Sequence, residues 1–141
     1  MKQTKHTVLA FLLTLCLTLG LLPALTPTAN AAGVSYKNAN GVMQTTTETV
    51  NSVGSNNTYW NTGWYQVSSA VPIKERVTVT GDVHLILCDG MTLTAEKGIT
   101  VSEGNSLTIY GQTTGTGKLN ATNPDSNYAG IGGYRLDTTN T

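Results

Sequence analysis

Residues 78 to 121 read TVTGDVHLILCDGMTLTAEKGITVSEGNSLTIYGQTTGTGKLNA, and the patterning of this stretch decides the fold. Apolar residues recur at every second position in short runs: Val77 and Val79, then Val83, Leu85 and Leu87, then Ile99 and Val101, then Leu107 and Ile109. Glycine-containing turns separate the runs. A period of two puts alternate side chains on one face of an extended chain, and no apolar stripe of helical length interrupts it. The expectation is an all-β domain. Asp89-Gly90 is the strongest turn signal, because glycine accepts a positive φ without strain and aspartate can bond its own backbone.

The pattern then recurs. Lys97-Gly98, Glu103-Gly104-Asn105 and Gly115-Thr116-Gly117 each precede a new short run. Matching Leu85 to Leu107 gives an offset of 22 residues, and matching Leu93 to Leu119 gives 26. A loose period of that size fits successive coils of a right-handed parallel β-helix, with aliphatic residues inside and Gly, Asn and Asp at the corners. An antiparallel β-sandwich has similar turn spacing and stands as the alternative. Cys88 falls out of phase with Leu85 and Leu87, so both faces of that strand are apolar and the cysteine reads as a small buried hydrophobe.

Working outward, Met1 to His6 form a basic head, and Val8 to Leu22 form an apolar run too short for a stable anchor but suited to a signal peptide. Ala29-Asn30-Ala31 supplies small residues two apart, which places cleavage between Ala31 and Ala32. Lipid attachment at Cys16 is disfavoured, since Leu15 stands where a small residue is needed. The expected location is therefore secreted or cell-surface, with no membrane contact after cleavage. Removing Lys2 and Lys5 leaves six basic residues against eight acidic ones, a net charge of −2. That balance excludes nucleic acid as a partner, because phosphate contacts need a basic surface. Cleavage also leaves Cys88 as the sole cysteine, so no internal disulfide forms.

The segments after the signal peptide (1–31) divide by composition. Residues 32–57 read as a polar leader with one or two edge strands, 58–133 as the coils with an aromatic N-terminal cap, and 134–141 as the polar tail of a truncated stack. Further domains of a longer chain are expected beyond it.

At GDVHLILCDGMTL (81 to 93), LTIYGQTTGTGKLNA (107 to 121) and AGIGG (129 to 133) the chain resembles the N-terminal coils of secreted surface proteins of anaerobic, gut-type Firmicutes. These are often described as carbohydrate-binding-domain-containing proteins, with a pectate-lyase-like right-handed parallel β-helix. The resemblance covers roughly residues 64–133. It implies an exported, non-catalytic module that binds polysaccharide, and it brings calcium into consideration as a cofactor. It supplies no ligand motif to carry over residue by residue. A structural spacer or adhesin stalk is the alternative function, and a polysaccharide lyase remnant the third.

Thr58 to Ala70 concentrates four of the nine aromatic residues, Tyr59, Trp60, Trp64 and Tyr65. Flat rings with polar edges suit sugar stacking, so Trp60, Trp64, Tyr65 and Tyr110 are the expected carbohydrate contacts. The plainer reading of the Thr58 to Ala70 cluster is that it covers the open end of the β-stack. Glycoside hydrolysis needs paired carboxylates. Asp82 and Asp89, however, stand at turn glycines, where a backbone role accounts for them, so no catalytic residue is assigned. No run of spaced acidic residues suggests a calcium loop. Gly111 to Leu119 superficially resembles a phosphate loop, but its spacing is one residue too long and Leu119 replaces the hydroxyl that would bind magnesium. His84 is expected to face solvent alone.

Overall fold

The computed structural model describes residues 33–124 and 127–133. The expected signal peptide, its expected cleavage point between Ala31 and Ala32, and residues 134–141 lie outside them. Valine, isoleucine, threonine and tyrosine fill the alternating runs, and these residues suit a pleated, half-buried surface. All the regular elements among the described residues are strands, so the domain is all-β. No helix among them is long and apolar enough to cross a membrane. In chain order the strands are β1 (Ser35–Lys37), β2 (Met43–Thr45), β3 (Val50–Ser52), β4 (Tyr59–Val67), β5 (Val71–Ile73), β6 (Val77–Leu87), β7 (Thr92–Ala95), β8 (Ile99–Val101), β9 (Ser106–Tyr110), β10 (Lys118–Ala121) and β11 (Ile131–Gly132).

Two sheets carry the domain. The larger has the order β11-β8-β6-β4-β3, with β9 also paired to β6, and the smaller has the order β10-β7-β5. Every ladder within these two sheets is parallel. They are not the ladders of the antiparallel sandwich held as the alternative. Only the β1–β2 hairpin and an isolated bridge between Lys37 and Gly111 are antiparallel. The chain passes from the larger sheet to the smaller three times, from β4 to β5, from β6 to β7, and from β8 and β9 to β10.

Register follows from these passes. Leu93 lies between Val71 and Leu119, so the expected 26-residue offset holds in the smaller sheet. In the larger sheet the expected match of Leu85 to Leu107 is off by one pleat. Leu107 lies beside Val83, and Leu85 is beside Ile109, an offset of 24 residues. The face is right and the neighbour wrong, because two residues along a strand return a side chain to the same side. Turn length, which repeating hydrophobicity does not encode, sets the difference.

The core lies where the inner faces meet. Val77, Val79, Val83, Leu85 and Leu87 of β6 are buried together with Ile73, Leu93, Ala95 and Ile99. Fully burying a side chain such as Leu93 or Ile73 is worth about 2–3 kcal/mol. Cross-ladder side chains bind the turns to one another. Arg76 donates to Thr100 Oγ1 at 2.6 Å, to the Lys97 carbonyl at 2.5 Å and to the Ala129 carbonyl at 3.0 Å, and its guanidinium lies 4.4 Å from the Tyr128 ring centre. Gly98 completes the same column. Its φ is +75°, and a Cβ there would meet the Gly130 carbonyl oxygen at 2.5 Å, so a side chain is strained on both counts.

The polar leader is more ordered than its composition suggests. The β1–β2 hairpin is tied to the loop after β9, where Lys37 N–H donates to Gly111 O at 2.8 Å, Gln112 Nε2 donates to Ser35 O at 2.9 Å, and Lys37 Nζ reaches Thr113 O at 3.1 Å. β3 then joins the larger sheet beside β4, with Val50 opposite Trp64.

Candidate functional site

Strand β6 alternates as its sequence requires, with Val83, Leu85 and Leu87 inward and His84 outward. Ile86 also points away from that core yet is fully buried. What lies over this outer face is a group of rings that the parallel ladders assemble from distant positions. Trp64 and Thr108 flank His84 in register, and Tyr110 pairs with Ile86 one pleat further on. The Trp64 and His84 rings stack at 4.4 Å with an 18° tilt. Tyr110 lies near-parallel to both, 5.4 Å from Trp64 and 5.9 Å from His84. Tyr36 of β1 closes over the group, 4.9 Å from Trp64 and edge-on to Tyr110 at 4.7 Å. Such pairs are worth about 0.5–1.5 kcal/mol beyond the area they bury.

A polar chain runs along one side of the stack. His84 Nδ1 lies 3.0 Å from the Tyr110 hydroxyl, His84 Nε2 lies 3.3 Å from Asp82 Oδ2, and the Ser106 hydroxyl donates to Asp82 Oδ1. A carboxylate beside Nε2 favours a proton on that nitrogen, which leaves Nδ1 to accept from the phenol. Burial pushes the Tyr110 phenol above its ordinary range, and the neighbouring Tyr36 and Asp82 push the same way. Tyr110 therefore stays protonated at neutral pH and donates. The Ser106 hydroxyl is bonded to the carboxylate rather than to the imidazole, so this is not the arrangement in which a histidine activates a serine.

His84 was expected to stand alone. It does face outward, but it is held by Trp64, Tyr110 and Asp82, partners 20 and 26 residues away in two cases. No spacing signal in a single strand could have shown this.

The four aromatic candidates divide. Trp60 is fully buried and donates its indole N–H to the Asn57 carbonyl at 3.1 Å, so a ligand on the surface does not reach it. Tyr65 packs against the core, and its hydroxyl is spent on the Asn61 backbone, accepting from N–H at 3.0 Å and donating to the carbonyl at 3.1 Å. Trp60 is thus a core side chain and Tyr65 a partly buried one packed against the core. Trp64 and Tyr110 are half-buried members of the outer stack. Tyr59, not among the expected contacts, is the most exposed ring among the described residues at 75% and occupies the same strand as Trp64.

The remaining polar candidates serve the backbone. Asp89 accepts from the N–H of Thr114 at 2.9 Å and of Thr116 at 3.4 Å, while Gly90 N–H donates to Thr116 Oγ1 at 2.8 Å. The Thr114 backbone bond, foremost among these, holds the Asp89 carboxyl below its ordinary value. The glycine-rich loop that superficially resembles a phosphate cradle thus encloses a carboxylate of its own chain. Burial, and secondarily Asp89, raises the Cys88 thiol above its ordinary range, which disfavours the reactive thiolate. Among the described residues no three His, Cys, Asp or Glu side chains gather so as to hold a metal ion.

No protein-family model, curated protein or solved structure matches this chain.

Proposed function

We propose that the chain is an exported, non-catalytic module, a right-handed parallel β-helix that binds polysaccharide along the outer face of its larger sheet. The solenoid reading draws on the parallel ladders and on the three passes between sheets. Its handedness follows the general rule that crossovers between parallel strands are right-handed. The sugar reading rests chiefly on one observation: the open ring of Tyr59 and the Trp64 stack share the outer face of one strand, among hydroxyls and amides rather than converging carboxylates. Tyr59 pairs with Thr78 and Asn61 with Thr80, side chains suited to sugar hydroxyls. Five residues of strand put Tyr59 and Trp64 about 16 Å apart, a span matched by an extended polymer rather than a single sugar. The rings of the Trp64 group turn their faces to one another, so they would meet a sugar with their edges, and Tyr59 supplies the free face.

Affinity electrophoresis through gels containing xylan, hydroxyethylcellulose or pectin tests this, with Tyr59→Ala and Trp64→Ala beside the wild type. Retardation that either substitution weakens supports the module as a binder. Wild-type mobility unchanged by every glycan removes the proposal. The stalk reading would then take its place, and one observation favours it: Arg76 reaches from its own turn to Lys97 and Ala129 and so stiffens the axis.

A further inference from the structure

The face that carries Trp64 and His84 also carries the carboxylate of Asp82. Asp82 has 60% of its side chain exposed, and its contacts are the Ser106 hydroxyl and an imidazole. Glu103 lies in the next turn of the same column, where Asn105 Oδ1 accepts from Gly81 N–H at 2.7 Å. No described lysine or arginine pairs with Asp82. Lys97 is neutralised by Glu75 at 2.6 Å, whereas Arg76 and Lys37 keep their charge on neutral oxygens, Arg76 beside Thr100 and Lys37 at the Thr113 carbonyl. Lys74 follows β5 and lines a pocket with Ser55 and Thr58, next to Tyr59, and Lys118 begins β10 in the smaller sheet.

Building on the polysaccharide reading above, we infer that the ligand class is a neutral glycan and that Asp82 is the specificity-determining residue that excludes polyuronates. A polymer of uronic acid brings one carboxylate with every sugar, so a pose that lays a uronate beside Asp82 sets like charges against each other. At a separation of about 4 Å even full solvent screening leaves a penalty equivalent to roughly fivefold in affinity, and partial burial raises it. A neutral polymer meets no such penalty. It can use Asp82 Oδ2 as a hydrogen-bond acceptor for its hydroxyls.

The test compares polygalacturonate with xylan and hydroxyethylcellulose in affinity electrophoresis, using the full chain, Asp82→Asn and Asp82→Ser, with thermal unfolding to confirm that each variant is folded. In dilute buffer the wild type should bind a neutral polymer at least about fivefold more tightly than polygalacturonate. Added sodium chloride should shrink that ratio, since screening weakens exposed charge repulsion. Both substitutions should shrink it without salt. Equal retardation by the two polymer classes overturns the inference while leaving the binding proposal intact, as does a ratio indifferent to salt and to both substitutions. Absence of retardation by any polymer overturns both.

Discussion

Substituting Leu93 and Leu119 separately by alanine tests the ladder on which the fold depends. Both leucines belong to one inward column, Val71–Leu93–Leu119, yet Leu93 is fully buried at its centre and Leu119 is only partly buried at its edge. Leu→Ala removes three carbon groups, about 2.4 kcal/mol of transfer free energy for a buried site. At Leu93 a cavity term adds to this, because Val71 and Leu119 are fixed by backbone ladders on either side and have little freedom to close the gap, so the total should be about 3.5 kcal/mol. At Leu119 roughly half the transfer term applies and no closed cavity forms, giving about 1 kcal/mol. Urea unfolding followed by fluorescence measures both, with buried Trp60 as the reporter. A cost below about 1 kcal/mol for Leu93→Ala, or a larger cost for Leu119→Ala than for Leu93→Ala, would refute the column and with it the stacking of β5, β7 and β10.

Three further outcomes are expected. Gly98→Ala should destabilise the domain by about 1–3 kcal/mol, read as a lowered Tm, since it combines a positive φ with a Cβ aimed at a backbone carbonyl. For Asp89 the folded carboxyl titrates below its ordinary 3.8, so its stabilising contribution is complete above that value and is lost as pH falls through the folded pKa. Acid unfolding of Asp89→Asn should therefore lack that segment of pH dependence, and an unchanged acid limb would count against the loop contact. Tyr36→Ala should accelerate hydrogen exchange across residues 35–45 while leaving 77–87 protected, because that ring is the hairpin's aromatic contact with the stack.

Much of the fold was legible because the direction of a side chain along a strand is a local property. Val83, Leu85 and Leu87 are inward, as their period of two indicates, and the Leu93–Leu119 match falls in register. Pairing is a different kind of fact. Whether Leu85 meets Leu107 or Ile109 depends on the length of chain taken up in the turn at 102–105, and hydrophobicity repeats equally well at either register. The environment of His84 was hidden for the same reason, since Trp64, Tyr110 and Tyr36 reach it from other strands. The hairpin was underestimated because its anchoring is carried by backbone bonds and one ring rather than by an apolar stripe.

The opposite fates of Trp60 and Trp64 show where a local rule fails for a local cause. Four residues apart on one strand, they should share a face. In the pairing of β4 with β6, however, Trp60 lies beside inward Val79 while Trp64 lies beside outward His84, and the register shifts between Asn61 and Gly63. From Trp60 to Gly63 is three positions, whereas Val79 to Val83, the matching span of β6, is four. The odd step inverts the phase of every later residue in β4. Gly63 on β4 has φ +142° and Gly81, on the longer span of β6, has φ +77°, conformations costly for any residue with a side chain, so the irregularity is written in the sequence as a glycine on each strand. Without it Trp64 would turn inward with Trp60, and Tyr65 would turn outward. The ring now stacked on His84 would be part of the core, and the outer face would lose the group to which Tyr36 attaches. The register shift framed by Gly63 and Gly81 therefore decides which aromatic residues enter the core and which lie on the outer face.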